Sequence, residues 1–429
     1  MMKFVFADSL DFIDPDYDFA ADRSGAGRAV HRDDLYPHEF LDETPYDGIL
    51  VSRGIVGDAR ITGKYTAPQL MRFRREGARR FLRYPREQFP GSMMMGDCGA
   101  FSYRDLAEPP YRPEDTIEFY ADAGFTHGCS VDHLIFDFDE APGRTKDEIT
   151  RQVRDRYEIT LELATEFLGR ARRLGPTFTP MGVVQGWSAQ SMADAAAALA
   201  KMGYNYLAVG GLVPLRIDQI HHALTAIRGA VPPHVQLHLL GFAKIEHLPN
   251  LAQYGVASFD TTSPLLRAFK DARKNYFARD PGGQLSHYTA IRIPQAIENN
   301  KLRHKALEGE LNQEQILELE VAALSAVRRF ANREVGTQEA LDHVMDYWSI
   351  LNWHNDASPA RKIEAIERQR RLYERTLADR PWEDCDCRVC REGGVEALIF
   401  RSSNRNKRRG IHNLYVFYRY LRELRSDPA

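Results

Sequence analysis

Two groups of side chains in this sequence have the types and spacing to do chemistry. Cys385, Cys387 and Cys390 place three thiols within six residues, in a chain with five cysteines in all. Asp97 in GDCGAF, Asp132 in SVDHL and Asp260 in SFDTT each stand where a short apolar run gives way to a polar turn. Three thiolates so close repel one another unless a cation neutralises them, and zinc does so with four ligands in a tetrahedron. His412 is the first histidine after the cluster and completes a Cys3His set. Four protein ligands leave no open position for water, so the expected role of the zinc is structural. An iron–sulfur cluster would take a fourth cysteine, and neither Cys98 nor Cys129 is an obvious candidate. A zinc base deaminase needs H-x-E paired with P-C-x-x-C, and no histidine here has Glu two residues on.

A single aspartate at a strand end is often only a helix cap or a loop residue. Three of them suggest paired carboxylate work, in which one group attacks as a nucleophile while another handles protons. That is the logic of a retaining glycosidase. Gln185 in VVQG and Gly210 and Gly211 in AVGG add an amide and close-approach backbone at neighbouring strand ends, groups that suit a flat polar heterocycle better than a sugar polymer. His133 and His238 stand alone, unlike the His-rich strand ends of a metal-dependent barrel hydrolase, and read as satisfied core or rim residues. Cys98, beside Asp97, reads as a packing residue rather than a redox group. Met93 to Met95 reads as buried strand, and Asp137 to Glu140 as a solvated loop.

These residues need elements to position them. Between about 45 and 290 short apolar runs alternate with helical stretches: Gly48 to Ser52, Ser92 to Asp97, His127 to Asp132, Pro180 to Gly186, Tyr206 to Gly211, Val235 to Phe242 and Val256 to Thr261, with helices such as Pro113 to Gly124, Lys146 to Leu174 and Ser188 to Met202 between them. Strands alternating with helices imply βαβ units and parallel pairing. Seven runs, with Ala397 to Phe400 as a candidate eighth, fit a (β/α)8 TIM-like barrel, whose active site lies at the C-terminal strand ends. The expected organisation is an irregular extension over 1–45, the catalytic barrel over 46–300, a helical insertion over 301–380, a zinc-binding subdomain over 381–412 and a C-terminal helix over 413–429. Asn312 followed by Gln315 suits a helix start.

Composition sets the class. A hydrophobic fraction of 43% and a charged fraction of 27% describe a globular chain of 429 residues. No apolar run reaches the ~18 residues of a membrane span, and the N-terminus turns acidic too soon for a signal peptide. A cytoplasmic location is therefore expected, where clustered cysteines read as metal ligands. Net charge is −3, so only local runs speak for a nucleic-acid partner. The arginine-rich stretch Arg72 to Arg86, with aromatics between, and RNKRRG (Arg405 to Gly410) could lie along phosphates, or form a solvated helix face and a charged loop.

The set GDCGAF, VVQG, AVGG, FD, C-x-C-x2-C and IHNLY, in this order, resembles the tRNA-guanine transglycosylase superfamily over about residues 90–265 and 385–425. The zinc motif followed by IHNLY is its most specific element. The resemblance implies a TIM barrel with a zinc-binding insertion and a base-exchange reaction. Asp260 takes the place of the nucleophile that attacks C1′ of a guanine nucleotide and expels guanine. Asp97 takes the place of the general acid/base that receives the proton of an incoming 7-deazaguanine. Asp132, Gln185, Gly210 and Gly211 fall where the family reads the guanine-like edge. Cys385, Cys387, Cys390 and His412 take the zinc-ligand places.

Departures from the family pattern point to a branch. Where the family has D-S-G-G-[FY]-Q, this chain has Cys98, Ala100 and Ser102; D-E-C becomes D-H-L around Asp132; and TTSPLLRAF follows Asp260 in place of a C-V-x-P-T-R segment. FADSLDFIDPDYDF and RDDLYPHE near the N-terminus resemble the DpdA-type branch, which exchanges guanine in DNA for 7-cyano-7-deazaguanine (preQ0). DNA is then the expected polynucleotide, with tRNA the alternative and a catalytically inactive nucleic-acid-binding barrel a third reading that the presence of both Asp97 and Asp260 disfavours. The target base must be extruded, at a cost of a few kcal/mol in a duplex. Partner proteins that open DNA follow from the resemblance, and no membrane partner is expected.

Overall fold

The computed structural model describes residues 2–138, 150–296, 300–309, 312–352 and 358–426. The chain divides into two compact units, Met1–Leu10 with Tyr46–Thr262, and Asp11–Pro45 with Ser263–Asp427. No helix among the described residues is long and apolar enough to cross a membrane.

In the first unit eight parallel strands close into a barrel in chain order. They are β1 (Lys3–Ala7), β2 (Gly48–Ser52), β3 (Met93–Asp97), β4 (His127–Cys129), β5 (Thr179–Val184), β6 (Tyr206–Val209), β7 (Gln236–Leu239) and β8 (Val256–Thr261). All seven apolar runs read as strands are present. The eighth is not Ala397 to Phe400 but KFVFA, which pairs in parallel with both β2 and β8 and closes the ring. Part of the expected irregular extension is thus barrel. Its five residues stand before an acidic loop and pair with strands some 40 and 250 positions away, so no local alternation with a helix announces them. Ile399–Phe400 instead pairs with Ile291–Arg292 in the second unit.

Alternation along the strands sends every other side chain inward. Val5, Leu50, Met93, Met95, Cys129, Met181, Val183, Tyr206 and Ala208 form one buried cluster, while Phe4, Met94 and Phe259 are buried on the opposite faces. The three methionines are strand core, as expected. Helices Ala67–Phe81, Pro113–Ala123, Arg151–Ala171, Ala189–Met202 and Ile217–Ala230 fill the crossovers. The helix expected from Lys146 starts at Arg151, where the Thr150 hydroxyl caps Val153 N–H. Residues 146–149 lie outside the described residues, as do Asp139 and Glu140.

The second unit carries the helices Gln313–Ala331, Thr337–Leu351, Pro359–Asp379 and Ser403–Ser426 and the hairpin Tyr276–Arg279/Leu285–Tyr288. Asn312 caps the first of these helices through Glu314 and Gln315 N–H. The RNKRRG run is neither a phosphate strip nor a charged loop. Arg405 and Arg409 are fully buried in the last helix and Arg408 nearly so. Arg405 pairs with Asp22 and Glu396, and Arg409 donates to the carbonyls of Ala268, Ala397 and Ile399. In the other basic stretch Arg72 pairs with Glu76 and Arg79 donates to Ser92, leaving Arg74 and Arg80 exposed.

Candidate active site and metal centre

The three aspartates stand at the C-terminal ends of barrel strands, where a TIM barrel builds its site. Asp97 ends β3 and Asp260 lies one residue short of the end of β8. Ser258 and Asp260 are two apart on β8 and so share a face. Asp97 is half-buried, hydrogen-bonded to Ser52, its register partner on β2, and accepts Gly99 N–H at 3.0 Å. Loss of water in the cleft raises the Asp97 carboxyl above its usual range, the Ser52 hydroxyl opposes the rise, and the negative charge of Asp260 adds to it. The two carboxylates therefore share one electrostatic environment, although two strands lie between theirs.

Asp132 lies just beyond β4 and is buried. The Cys98 thiol donates to its Oδ1 at 3.0 Å and the Gln185 amide to its Oδ2 at 2.8 Å. Burial lifts its pKa to about 7, with the charge of Asp97 adding and the thiol and amide opposing. Tyr103 hydroxyl donates to the Asp132 carbonyl at 3.0 Å. Cys98 is packed, as expected, and also holds a hydrogen bond; burial pushes its thiol well up, so it stays a neutral donor.

Gln185 is buried, and its Oε1 accepts Ile135 N–H at 3.3 Å. Its clearest task is to hold Asp132. A Cβ at Gly210 would fall 2.4 Å from Gln185 Nε2, so this glycine makes room for the amide. Its own N–H donates to the Val184 carbonyl at 3.0 Å. Gly211 has φ +70°, and a Cβ would lie 2.9 Å from the Ile135 carbonyl; only glycine fits both conditions.

Asp260 Oδ1 accepts two hydrogen bonds, from Gly241 N–H at 2.9 Å and from His238 Nε2 at 3.1 Å. His238, expected to be an isolated core residue, is thus joined to the site. His133 does fit that expectation: it is buried with Nε2 2.8 Å from the Leu106 carbonyl. A signal for His238 existed in VQLHLLG, where one imidazole sits inside an apolar strand and must find partners.

Cys385, Cys387, Cys390 and His412 bring their four ligand atoms within 4.8 Å of one another. The sulfurs lie 3.5, 3.4 and 3.3 Å from His412 Nδ1, near the ~3.5 Å edge of a tetrahedron built from zinc–sulfur and zinc–nitrogen bonds. His412 Nε2 donates to the Phe277 carbonyl at 2.8 Å. The lone pair of Nδ1 therefore faces three sulfurs, an arrangement that wants a cation between them. Cys387 caps the helix Arg388–Gly393 and sets the spacing of its two neighbours, and Tyr276 stacks on His412 at 4.0 Å. This donor set can hold a metal ion.

No protein-family profile matches the chain. The curated DNA-guanine transglycosylase of Salmonella montevideo is 40% identical over 431 residues, spanning 99% of each chain. Identity of that order over the whole length joins the barrel and the cysteine cluster to one lineage, and the chain belongs to the DNA-guanine transglycosylase family.

Proposed function

We propose that the protein exchanges guanine in DNA for 7-cyano-7-deazaguanine by double displacement at the C1′ carbon of the nucleotide. In the first half, the Asp260 oxygen without a donor among the described residues attacks C1′. The C1′–N9 bond breaks, its electron pair leaves with guanine, and Asp97 protonates N9. In the second half, N9 of the incoming base attacks C1′, its proton passes to Asp97, and the ester C–O bond returns its pair to Asp260. Two inversions give retention. A raised pKa suits Asp97 to hold the proton that it gives up in the first half and takes back in the second. Asp132, steadied by Cys98 and Gln185, accepts the N–H donors of the guanine-like edge. Zinc is the ion we assign to Cys385, Cys387, Cys390 and His412; with no open position it supplies folding energy and no chemistry.

The observation that carries this reading is that Asp97 and Asp260 stand at the same end of one closed barrel, close enough for the charge of Asp260 to raise the Asp97 carboxyl. The test supplies labelled 7-cyano-7-deazaguanine with DNA and tRNA in parallel. Label is expected in DNA, and label confined to tRNA would overturn the DNA assignment. Asp260→Ala should lose both the covalent adduct and exchange while remaining folded; an adduct on that variant removes the nucleophile assignment. Asp97→Asn should lose incorporation.

A further inference from the structure

None of the steps above uses His238, which is 0% exposed on β7. Its neighbours form a chain. His238 Nε2 meets Asp260 Oδ1 at 3.1 Å, His238 Nδ1 meets Ser258 Oγ at 2.6 Å, and Ser258 Oγ meets the Tyr206 hydroxyl from β6. Resting on the assignment of Asp260 as the attacking group, we infer that His238 is a positioning residue, held by Ser258 as the Nε2–H tautomer so that it fixes one oxygen of Asp260 and leaves the other aimed at C1′.

The direction of the chain follows from counting protons. Tyr206 hydroxyl has one polar partner among the described residues, Ser258. A buried phenolic proton needs an acceptor, so Tyr206 donates to Ser258. Burial lifts the Tyr206 pKa to about 12, keeping that proton in place. Ser258 then has its own proton for His238 Nδ1, which must be bare. The single ring proton is left on Nε2, pointed at a carboxylate oxygen that can only accept.

The register of the sheet makes the contact. Leu237 pairs with Val256, but His238 pairs with Ser258, with a shift between them that leaves Ala257 unpaired. Such a bulge re-aims side chains, and bulges gather near active sites. It sets His238 opposite Ser258, on the face that carries Asp260. With Gly241 N–H on the same Oδ1, two donors from the β7 end hold the carboxylate. Attack on C1′ needs the reacting atoms at ~3–3.5 Å with aligned orbitals, and a carboxylate free to turn loses that alignment.

The experiment follows single-turnover formation of the covalent enzyme–DNA adduct by the full chain, with melting temperature as the check on folding. His238→Leu keeps bulk and removes the donor; His238→Gln restores an N–H near the Nε2 place; Ser258→Ala frees the tautomer. His238→Leu is expected to slow adduct formation by about 10²-fold with the KM for DNA unchanged, His238→Gln to recover most of that loss, and Ser258→Ala to fall between. Should His238→Leu not fold, the other two variants decide. Wild-type adduct rates in the folded variants, with Asp260→Asn inactive, overturn the role of His238 and leave Asp260 as the nucleophile. Adduct formation by Asp260→Asn overturns the assignment beneath it. A loss that His238→Gln fails to recover, accompanied by a raised KM, marks the histidine as structural and likewise overturns the inference.

Discussion

Asp132 is the carboxyl of the site whose pKa, about 7, falls in the working range of a cell. The base-reading role proposed for it requires the ionised form, because a protonated carboxyl sets its own O–H against the N–H edge. The kcat/KM for the incoming base should therefore rise with pH through about 7 and then level. Asp132→Asn, neutral at every pH, should lose that rise and about 10–100-fold in efficiency, the worth of ~1.5–3 kcal/mol for a hydrogen bond to a charge; a pH profile of base uptake by both proteins checks this. The same raised pKa has a stability sign. The folded state binds the proton more tightly than the unfolded one, so the stability this group contributes is present below its unfolded value and lost as pH rises through about 7. At this scale Asp97, Asp132 and Asp260 were legible as polar residues ending apolar runs. His238 was legible only as a histidine in an apolar strand in need of partners; which atoms it meets across β7, β8 and β6 was not.

Elements show where local pattern and tertiary context part. The last helix, Ser403–Ser426, opens on a charged run that any surface reading would expose. Arg409 is instead buried and hydrogen-bonded to three carbonyls of its unit. A guanidinium spreads five donors in a rigid fork, which lets it satisfy backbone carbonyls that no water reaches. Arg409→Ala should therefore lower unfolding free energy by about 3 kcal/mol or more, because it orphans buried acceptors, and leave DNA affinity per folded molecule unchanged. Urea denaturation and DNA-binding titration on the same sample check both halves. The seven internal barrel strands were readable from apolar runs followed by turns, because each is flanked by its own helix. β1 was not, because it closes the ring by pairing with β2 and β8.

At the scale of the molecule, the barrel mouth carries the proposed chemistry while the Cys3His cluster belongs to the second unit. A closed metal set stabilises by binding the folded state alone. Elemental analysis should find a single zinc per chain. Chelation, or Cys390→Ala, should lower the melting temperature and speed proteolysis within 263–427; a metal-free protein with unchanged melting would contradict the assignment. Net charge is −3 and the 405–409 arginines are buried, so the exposed Arg74 and Arg80 are better candidates for phosphate contact than that run.

Motif spacing and strand–helix alternation are local properties, and they sufficed for the barrel class, the Cys3His set and the three strand-end aspartates. Closure by Lys3–Ala7, the shift that sets His238 against Ser258, and the burial of Arg405 and Arg409 appeared only in three dimensions. Each depends on which distant backbone a segment pairs with and in what register. A one-residue slip redirects every side chain of a strand, and nothing in the short stretch itself records which register the partner imposes.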